Sequence, residues 1–206
     1  MHIGLDFDNT LIDYDGVFHG VAVEQSLIPA DLPATKLAVR DYLRQQQRED
    51  VWTELQGYVY GQRLLDCPPY AGILEYLSWT RTRGLRTLIV SHKTRYPYLG
   101  PRYDLQSAAR NWIGTVLRDA HGPLVLEENV FFHETKAEKI ARIGSESCDV
   151  FVDDLPEILL DPAFPARTRA ILFDPQGQHP QPTAAFAVLR SWQDKGALEA
   201  LFECRI

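Results

Sequence analysis

Two aspartates one residue apart, Asp6 and Asp8, stand in the run Asp6-Phe7-Asp8-Asn9-Thr10 directly behind an apolar segment that opens the chain. Carboxylates at the end of a buried strand are costly unless a cation or catalysis accounts for them, and a spacing of one residue lets both approach the same point. Three further groups follow comparable apolar runs. Ser91 leads into His92 and Lys93, Lys136 follows Thr135 near a helix start, and Asp153-Asp154 closes the run Val150-Phe151-Val152. Plainer roles compete at each position. The first pair could serve a turn, Ser91 could be an ordinary strand-end hydroxyl, and Asp154 before Leu155-Pro156-Glu157 suits a helix N-cap. Lys136 carries a hint of its own: behind a Thr135 cap it occupies the first helical position, where the helix dipole disfavours positive charge. A nearby phosphate or carboxylate would remove that conflict. Lys139, one turn further in, is the alternative cation.

These residues need a scaffold that brings them to one edge. Short apolar, β-branched runs at residues 2–7, 85–90, 129–132, 149–152 and 170–173 read as buried strands of a parallel sheet, since nearly continuous apolar runs require cover on both faces. Helical patterns lie between them. Residues 70–83 place Ile73, Leu74 and Leu77 on one face, with Gly84 where a left-handed stop is expected. Asp104 can cap a helix carrying Leu105, Ala109, Trp112, Ile113 and Val116. Thr135 with Glu138, Asp154 with Glu157, and Ser191 with Asp194 each resemble a capping box. The expected architecture is α/β: a doubly wound, Rossmann-like parallel sheet with right-handed crossovers and its ligand at the carboxyl ends of the strands.

One interval breaks the rhythm. Residues 14–69 separate the first strand from the next clear unit, far more than the ~2–6 residues of an ordinary β-to-α connection. Leu37, Val39, Tyr42 and Leu43, then Val51, Trp52, Leu55, Tyr58 and Val59, keep helical spacing, and Pro68-Pro69 marks the return. The segment reads as a small helical cap insert beside the sheet's active end, leaving 1–13 and 70–206 as the core.

Composition narrows the partner. The 206 residues carry 21 Lys plus Arg against 28 Asp plus Glu, a formal charge of −7, with 45% hydrophobic residues. That is the make-up of a folded globular chain, and its acidity argues against nucleic-acid polymers. No apolar run approaches the ~20 residues needed to cross a bilayer, the first ten residues do not read as a signal peptide, and Cys67, Cys148 and Cys204 form neither a disulfide framework nor a zinc spacing. A cytoplasmic location is expected, and the oligomeric state is left open.

The ordered set LDFDNT, LIVS, ETK and VFVDD resembles the haloacid dehalogenase superfamily of phosphohydrolases, whose four motifs are a D-x-D-x-T/V loop, a Ser or Thr after the second strand, a Lys, and an acidic pair. The resemblance spans the whole core, and its first and last motifs are the specific ones. It implies that Asp6 attacks phosphorus to form an aspartyl-phosphate, and that Asp8 protonates the leaving oxygen and later deprotonates water. Thr10, Ser91, His92 and Lys136 become the expected phosphate-binding groups, although local hydrogen bonding is the simpler role for His92. Mg²⁺ is the implied metal, held by Asp6, the backbone carbonyl of Asp8, Asp153 and, where it is not a cap, Asp154. The expected activity is hydrolysis of a small phosphorylated metabolite. A phosphomutase or phosphotransferase using the same aspartate, and a non-catalytic accessory protein that binds a phospho-ligand, are the alternatives. A dehalogenase fits less well, having no leaving oxygen for Asp8 to protonate.

Two features bear on the substrate. Lys36, Arg40, Arg44 and Arg48 form a basic stripe every four residues, which reads either as a solvated face or as a contact to a second anionic group. The loop HKTRYPYLGPRYD begins beside the expected phosphate, and its Lys93 and Arg95 are candidate substrate contacts.

Overall fold

Apolar alternation on each strand feeds two opposite layers. In the computed structural model, which describes residues 1–179 and 185–202, Ile89, Val152 and Ile171 enter one hydrophobic cluster while Leu88, Phe151 and Leu172 enter another on the opposite face. Residues adjacent along a strand point to opposite sides of a sheet, so the runs stay apolar because both sides are covered. Among the described residues, the strands are β1 (His2–Leu5), β2 (Arg86–His92), a two-residue hairpin of β3 (Arg118–Asp119) and β4 (Gly122–Pro123), β5 (Val130–His133), β6 (Val150–Asp153), β7 (Arg169–Phe173) and β8 (Ala187–Leu189). Six of them form one parallel sheet in the order β5-β2-β1-β6-β7-β8. The edge strand β8 extends the expected five-strand sheet by one. Its three residues are too short a run to stand out from loop sequence.

The helices are α1 (Asp15–Glu24), α2 (Lys36–Gln45), α3 (Glu49–Gln62), α4 (Ile73–Thr82), α5 (Leu105–Val116), α6 (Lys136–Ser145), α7 (Pro156–Leu159) and α8 (Lys195–Phe202). Several begin and end where local chemistry dictates. The Asp104 carboxylate accepts from the Ser107 amide at 2.9 Å, Thr135 and Glu138 form a reciprocal capping box, and Gly84 has φ +66° just past α4. Two expected caps differ. Leu155 precedes α7 without a side-chain cap, because Asp153 already accepts the Leu155 amide at 3.0 Å and Asp154 turns toward Asn9. At α8 the capping carboxylate is Asp194, which accepts from the Ala197 amide at 2.9 Å, while Ser191 serves the turn before it.

Residues between β1 and α4 form α1, α2 and α3, of which α1 lay outside the helical pattern read from the sequence. Its buried residues Phe18, Val21 and Ala22 are few and its polar face is weakly marked. The chain leaves and returns through one paired neck. Asp13 N donates to the Pro68 carbonyl and Tyr70 N to that of Leu11, both at 2.9 Å. Val39, Leu43, Trp52, Leu55 and Val59 from this segment join the cluster that covers one sheet face. Close approach is made possible by glycine on α3: a Cβ at Gly57 would lie 2.8 Å from Pro97 Cβ, and one at Gly61 would run into Tyr103. The loop after β2 is thereby seated against α3. Cys67 and Cys148 are free thiols in buried positions, and Cys204 lies outside the described residues.

Candidate active site

Neighbouring strands β1 and β6 lie side by side, and the sheet's connections diverge at that point, so their carboxyl ends open a crevice of the kind where ligands bind in open α/β sheets. Asp6 and Asp153 emerge there together. The Asp6 amide donates to the Val152 carbonyl at 2.8 Å, which ties its backbone to β6. Both carboxylates are buried, and between them sits the ammonium of Lys139, 2.6 Å from Asp6 Oδ1 and 2.6 Å from Asp153 Oδ2. Asp154 completes an acidic triad whose ligand-type atoms all lie within 4.8 Å of one another.

Lys136 does not join them. It lies on the surface and pairs with Glu157, half-exposed on both sides. Three residues on a helix advance the chain by about 4.5 Å and swing the side chain by most of a turn. Here that step carries the cation from the outer end of α6 to the face shared with Ile140 and Ile143. The dipole conflict at the first helical position is answered by the Glu157 carboxylate instead of by a phosphate.

One lysine cannot balance three clustered carboxylates. For Asp153, burial and the charge of Asp6 outweigh the opposing Lys139, and its pKa rises to about 7. Burial, followed by the charges of Asp6 and Asp153, also lifts Asp154 well above the carboxylate range. A cluster of hard oxygen donors held short of positive charge suits a divalent cation such as Mg²⁺. A stability test follows. A folded-state pKa above the unfolded value means the native protein binds more protons between about pH 4 and 7, so metal-free protein should lose stability as pH rises through that window. Urea midpoints measured with a chelator should fall from pH 5 to pH 7, and Mg²⁺ should flatten the profile. A metal-free midpoint that rises over this range would contradict the assignment.

Asp8 faces the other way. Lys93, itself buried, places its ammonium 2.9 Å from both carboxylate oxygens, and the Tyr14 hydroxyl donates to Oδ1. Burial alone would raise the Asp8 pKa. The Lys93 charge, the hydrogen bonds from Tyr14 and Lys93, and the charge of Lys36 together outweigh it, and the pKa is lowered. Lys93, expected as a substrate contact, is thus the counter-ion of Asp8. Arg95 instead pairs with Asp104 in an exposed position, and His92 donates from Nε2 to the Glu134 carbonyl at 3.0 Å. Neither is drawn into the carboxylate cluster.

Thr10 and Ser91 are both buried. The Thr10 hydroxyl has no hydrogen-bond partner among the described residues, and a buried polar atom left so is costly unless a ligand completes it. Its carbonyl is held by the Trp192 indole at 2.9 Å, across 182 residues of sequence.

Asn9 and Tyr14 escaped the sequence reading, and Lys36 entered it only as one step of the basic stripe. Asn9 adopts φ +55°, a left-handed conformation that Asn tolerates, and its amide donates to Asp154 at 3.1 Å. Lys36 donates to the Asn9 side-chain Oδ1 at 3.3 Å, and Tyr14 holds Asp8. Asn9 had a local signal, as a residue suited to φ above zero directly after the second aspartate, whereas Tyr14 had none.

Comparison with protein-family models gives no match, and no curated protein is similar in sequence. Solved structures are similar. A HAD family hydrolase from Deinococcus radiodurans R1 with bound phosphate and sodium superposes with TM-score 0.55 at 18% identity, over 97% of this chain and 95% of that one. A hydrolase from Pseudomonas syringae gives 0.54 at 15% identity, covering all of both chains. This chain has the haloacid dehalogenase fold. A third neighbour, CbbY from Rhodobacter sphaeroides in complex with phosphate, gives 0.51 at 14% identity over 95% of this chain and 96% of that one. Among the described residues, no helix is long and apolar enough to cross a membrane. The HAD-like sheet sets the carboxyl ends of β1, β2 and β6 side by side, which accounts for how Asp6 and Asp153 meet and puts Ser91 near the end of the adjacent strand.

Proposed function

We propose that this protein is a Mg²⁺-dependent phosphatase acting on a small phosphomonoester through an aspartyl-phosphate at Asp6, with residues 14–69 as a cap over the site. The observation that carries the reading is the buried Asp6–Lys139–Asp153 bridge with Asp154 beside it. Lys139 bonds Asp6 Oδ1, and among the described residues no donor is bonded to the other oxygen, which is left to act as nucleophile. Asp6, Asp153, Asp154 and the Asp8 carbonyl would hold Mg²⁺, which when bound offsets charge on the phosphoryl oxygens.

The remaining work falls to the chain's own groups. Asp6 forms the bond to phosphorus as the ester oxygen departs, and that oxygen takes a proton from Asp8. Asp8 then accepts a proton from water as the water attacks phosphorus, and free phosphate leaves with the Asp6 carboxylate restored. In the free protein Lys93 favours the ionised form of Asp8. An arriving phosphate dianion competes for that ammonium, and a carboxyl relieved of it more readily takes up the proton it must deliver. Thr10 and Ser91 supply hydroxyls to the phosphoryl oxygens, and Lys139 replaces Lys136 as the cation of the site.

Phosphate release across a panel of metabolite monoesters, with Mg²⁺ and with chelator, tests this reading. Release is expected for a subset of esters and only with metal. Metal-independent release would overturn the mechanism, interconversion of phosphate isomers without net release would favour the mutase, and binding without turnover would favour the accessory protein.

A further inference from the structure

The basic stripe on α2 does not act as one face. Arg48 donates to the Leu27 carbonyl at 3.2 Å, and Arg44 grips Glu49 through two bonds of 2.6 and 2.9 Å. Arg40 pairs with its neighbour Asp41 at 2.9 Å, an arrangement exposed to solvent and cheap to exchange. Lys36 differs from all three. Its backbone amide is fixed by Asp15 at 2.9 Å, and its ammonium reaches inward to Asn9, with the rings of Tyr14, Phe18 and Tyr60 centred 5.1–5.5 Å away. Among the described residues, no carboxylate lies within ion-pair distance of it. Cation–π contacts offset part of the cost of desolvating an ammonium, but a full anionic partner is missing. Burial disfavours its charge, yet Tyr60, Asp8 and Asp154 together hold its pKa above the ordinary lysine value, so it stays charged.

Lys36 also lines a cavity of about 500 Å³ that begins at Asn9 and Asp154 and runs along α2 past Arg40, with Gln56 and Gln178 in its walls. Of the other acidic groups of that wall two are ion-paired and the third is held by neutral amides. Asp15 accepts from Gln176 at 2.6 Å, Asp174 pairs with Arg190 at 2.8 Å, and Glu49 is held by Arg44. At the Asn9 end of the cavity the Lys36 ammonium therefore stands without an ion-paired carboxylate, beside the residue that follows Asp8.

We propose that Lys36, with Arg40 one turn along α2, determines specificity by binding an anionic group on the leaving portion of the phosphate ester, so that preferred substrates carry a carboxylate or a second phosphate. This rests on the phosphatase reading and goes beyond it by naming the substrate class.

Matched esters test it. Phosphoglycolate against ethyl phosphate, and 3-phosphoglycerate against glycerol 3-phosphate, differ at the carboxylate. The carboxylate member of at least one pair should show kcat/KM higher by about tenfold, the size expected of one charge-assisted hydrogen bond. Lys36→Met should bring that ratio to within about threefold of unity, and Lys36→Arg should retain most of it. Calorimetry with phosphonoacetate and methylphosphonate, in the presence of Mg²⁺, reads the same preference without turnover and in the wild-type protein. Hydrolysis with no preference in either pair, or a preference that survives Lys36→Met, would overturn the anion site while leaving the phosphatase reading intact. Selective phosphonoacetate binding that Lys36→Met removes, with no ester hydrolysed, would uphold the anion site and overturn the phosphatase.

Discussion

Asp6→Asn is expected to lower phosphate release by about a thousandfold or more while leaving the protein folded. The carboxamide keeps the shape of the side chain, and its carbonyl oxygen can still accept from Lys139. What it lacks is the second, negatively charged oxygen, whose place is taken by an amide NH2 that is not a nucleophile. Stability should change little, by about 1 kcal/mol or less, because the substitution removes one of three carboxylates crowded around a single lysine. Parallel measurements of release and of the urea midpoint separate the two effects. Release that survives in the folded variant would show that Asp6 is not the nucleophile. A large fall in the midpoint would show that its charge serves the fold instead of the chemistry.

Lys139→Met should have the largest effect on stability of any surface-neutral change at the site. Lys139 and its two partners are almost wholly screened from water, so removing the cation strands Asp6 and Asp153 as neighbouring buried carboxyls. Breaking such a buried pair typically costs roughly 3–5 kcal/mol. Lys136→Met, three residues earlier, is expected to cost about 0–1 kcal/mol, because its pair with Glu157 is half-exposed and solvent already screens both charges. Chemical denaturation of the two variants with a chelator present gives the comparison. Added Mg²⁺ should recover part of the loss in Lys139→Met by supplying a different positive charge to the same carboxylates. Equal effects at the two lysines would contradict the bridge, as would a Lys139 variant as stable as the wild type.

The fold was largely legible along the chain because its signals are local. Apolar runs covered on both faces, the Thr135–Glu138 and Asp104 caps, and the Gly84 stop each depend on residues within a few positions of one another. The two aspartate motifs were legible for the same reason: acidic residues directly behind apolar strands are anomalous in any context. By itself the sequence determined a parallel α/β sheet whose edge gathers carboxylates.

Which partner each charge would find was decided only by tertiary structure. The sequence favours Lys136 over Lys139 by its place at the helix start, yet the rotation of α6 against the sheet makes Lys136 a surface pair and Lys139 the bridge that spans 133 residues to Asp6. Asp154 looks like a cap until Asn9, 145 residues earlier, claims its carboxylate. Lys93 looks like a substrate contact until Asp8 is found opposite it, and Lys36 looks like one step of a solvated stripe until α2 folds its first residue over the crevice. Coulomb energy and desolvation act on distances in space, and sequence spacing carries little of that information beyond a turn or two of helix. The strands were therefore readable one at a time, whereas the electrostatics of the site existed only once they were assembled.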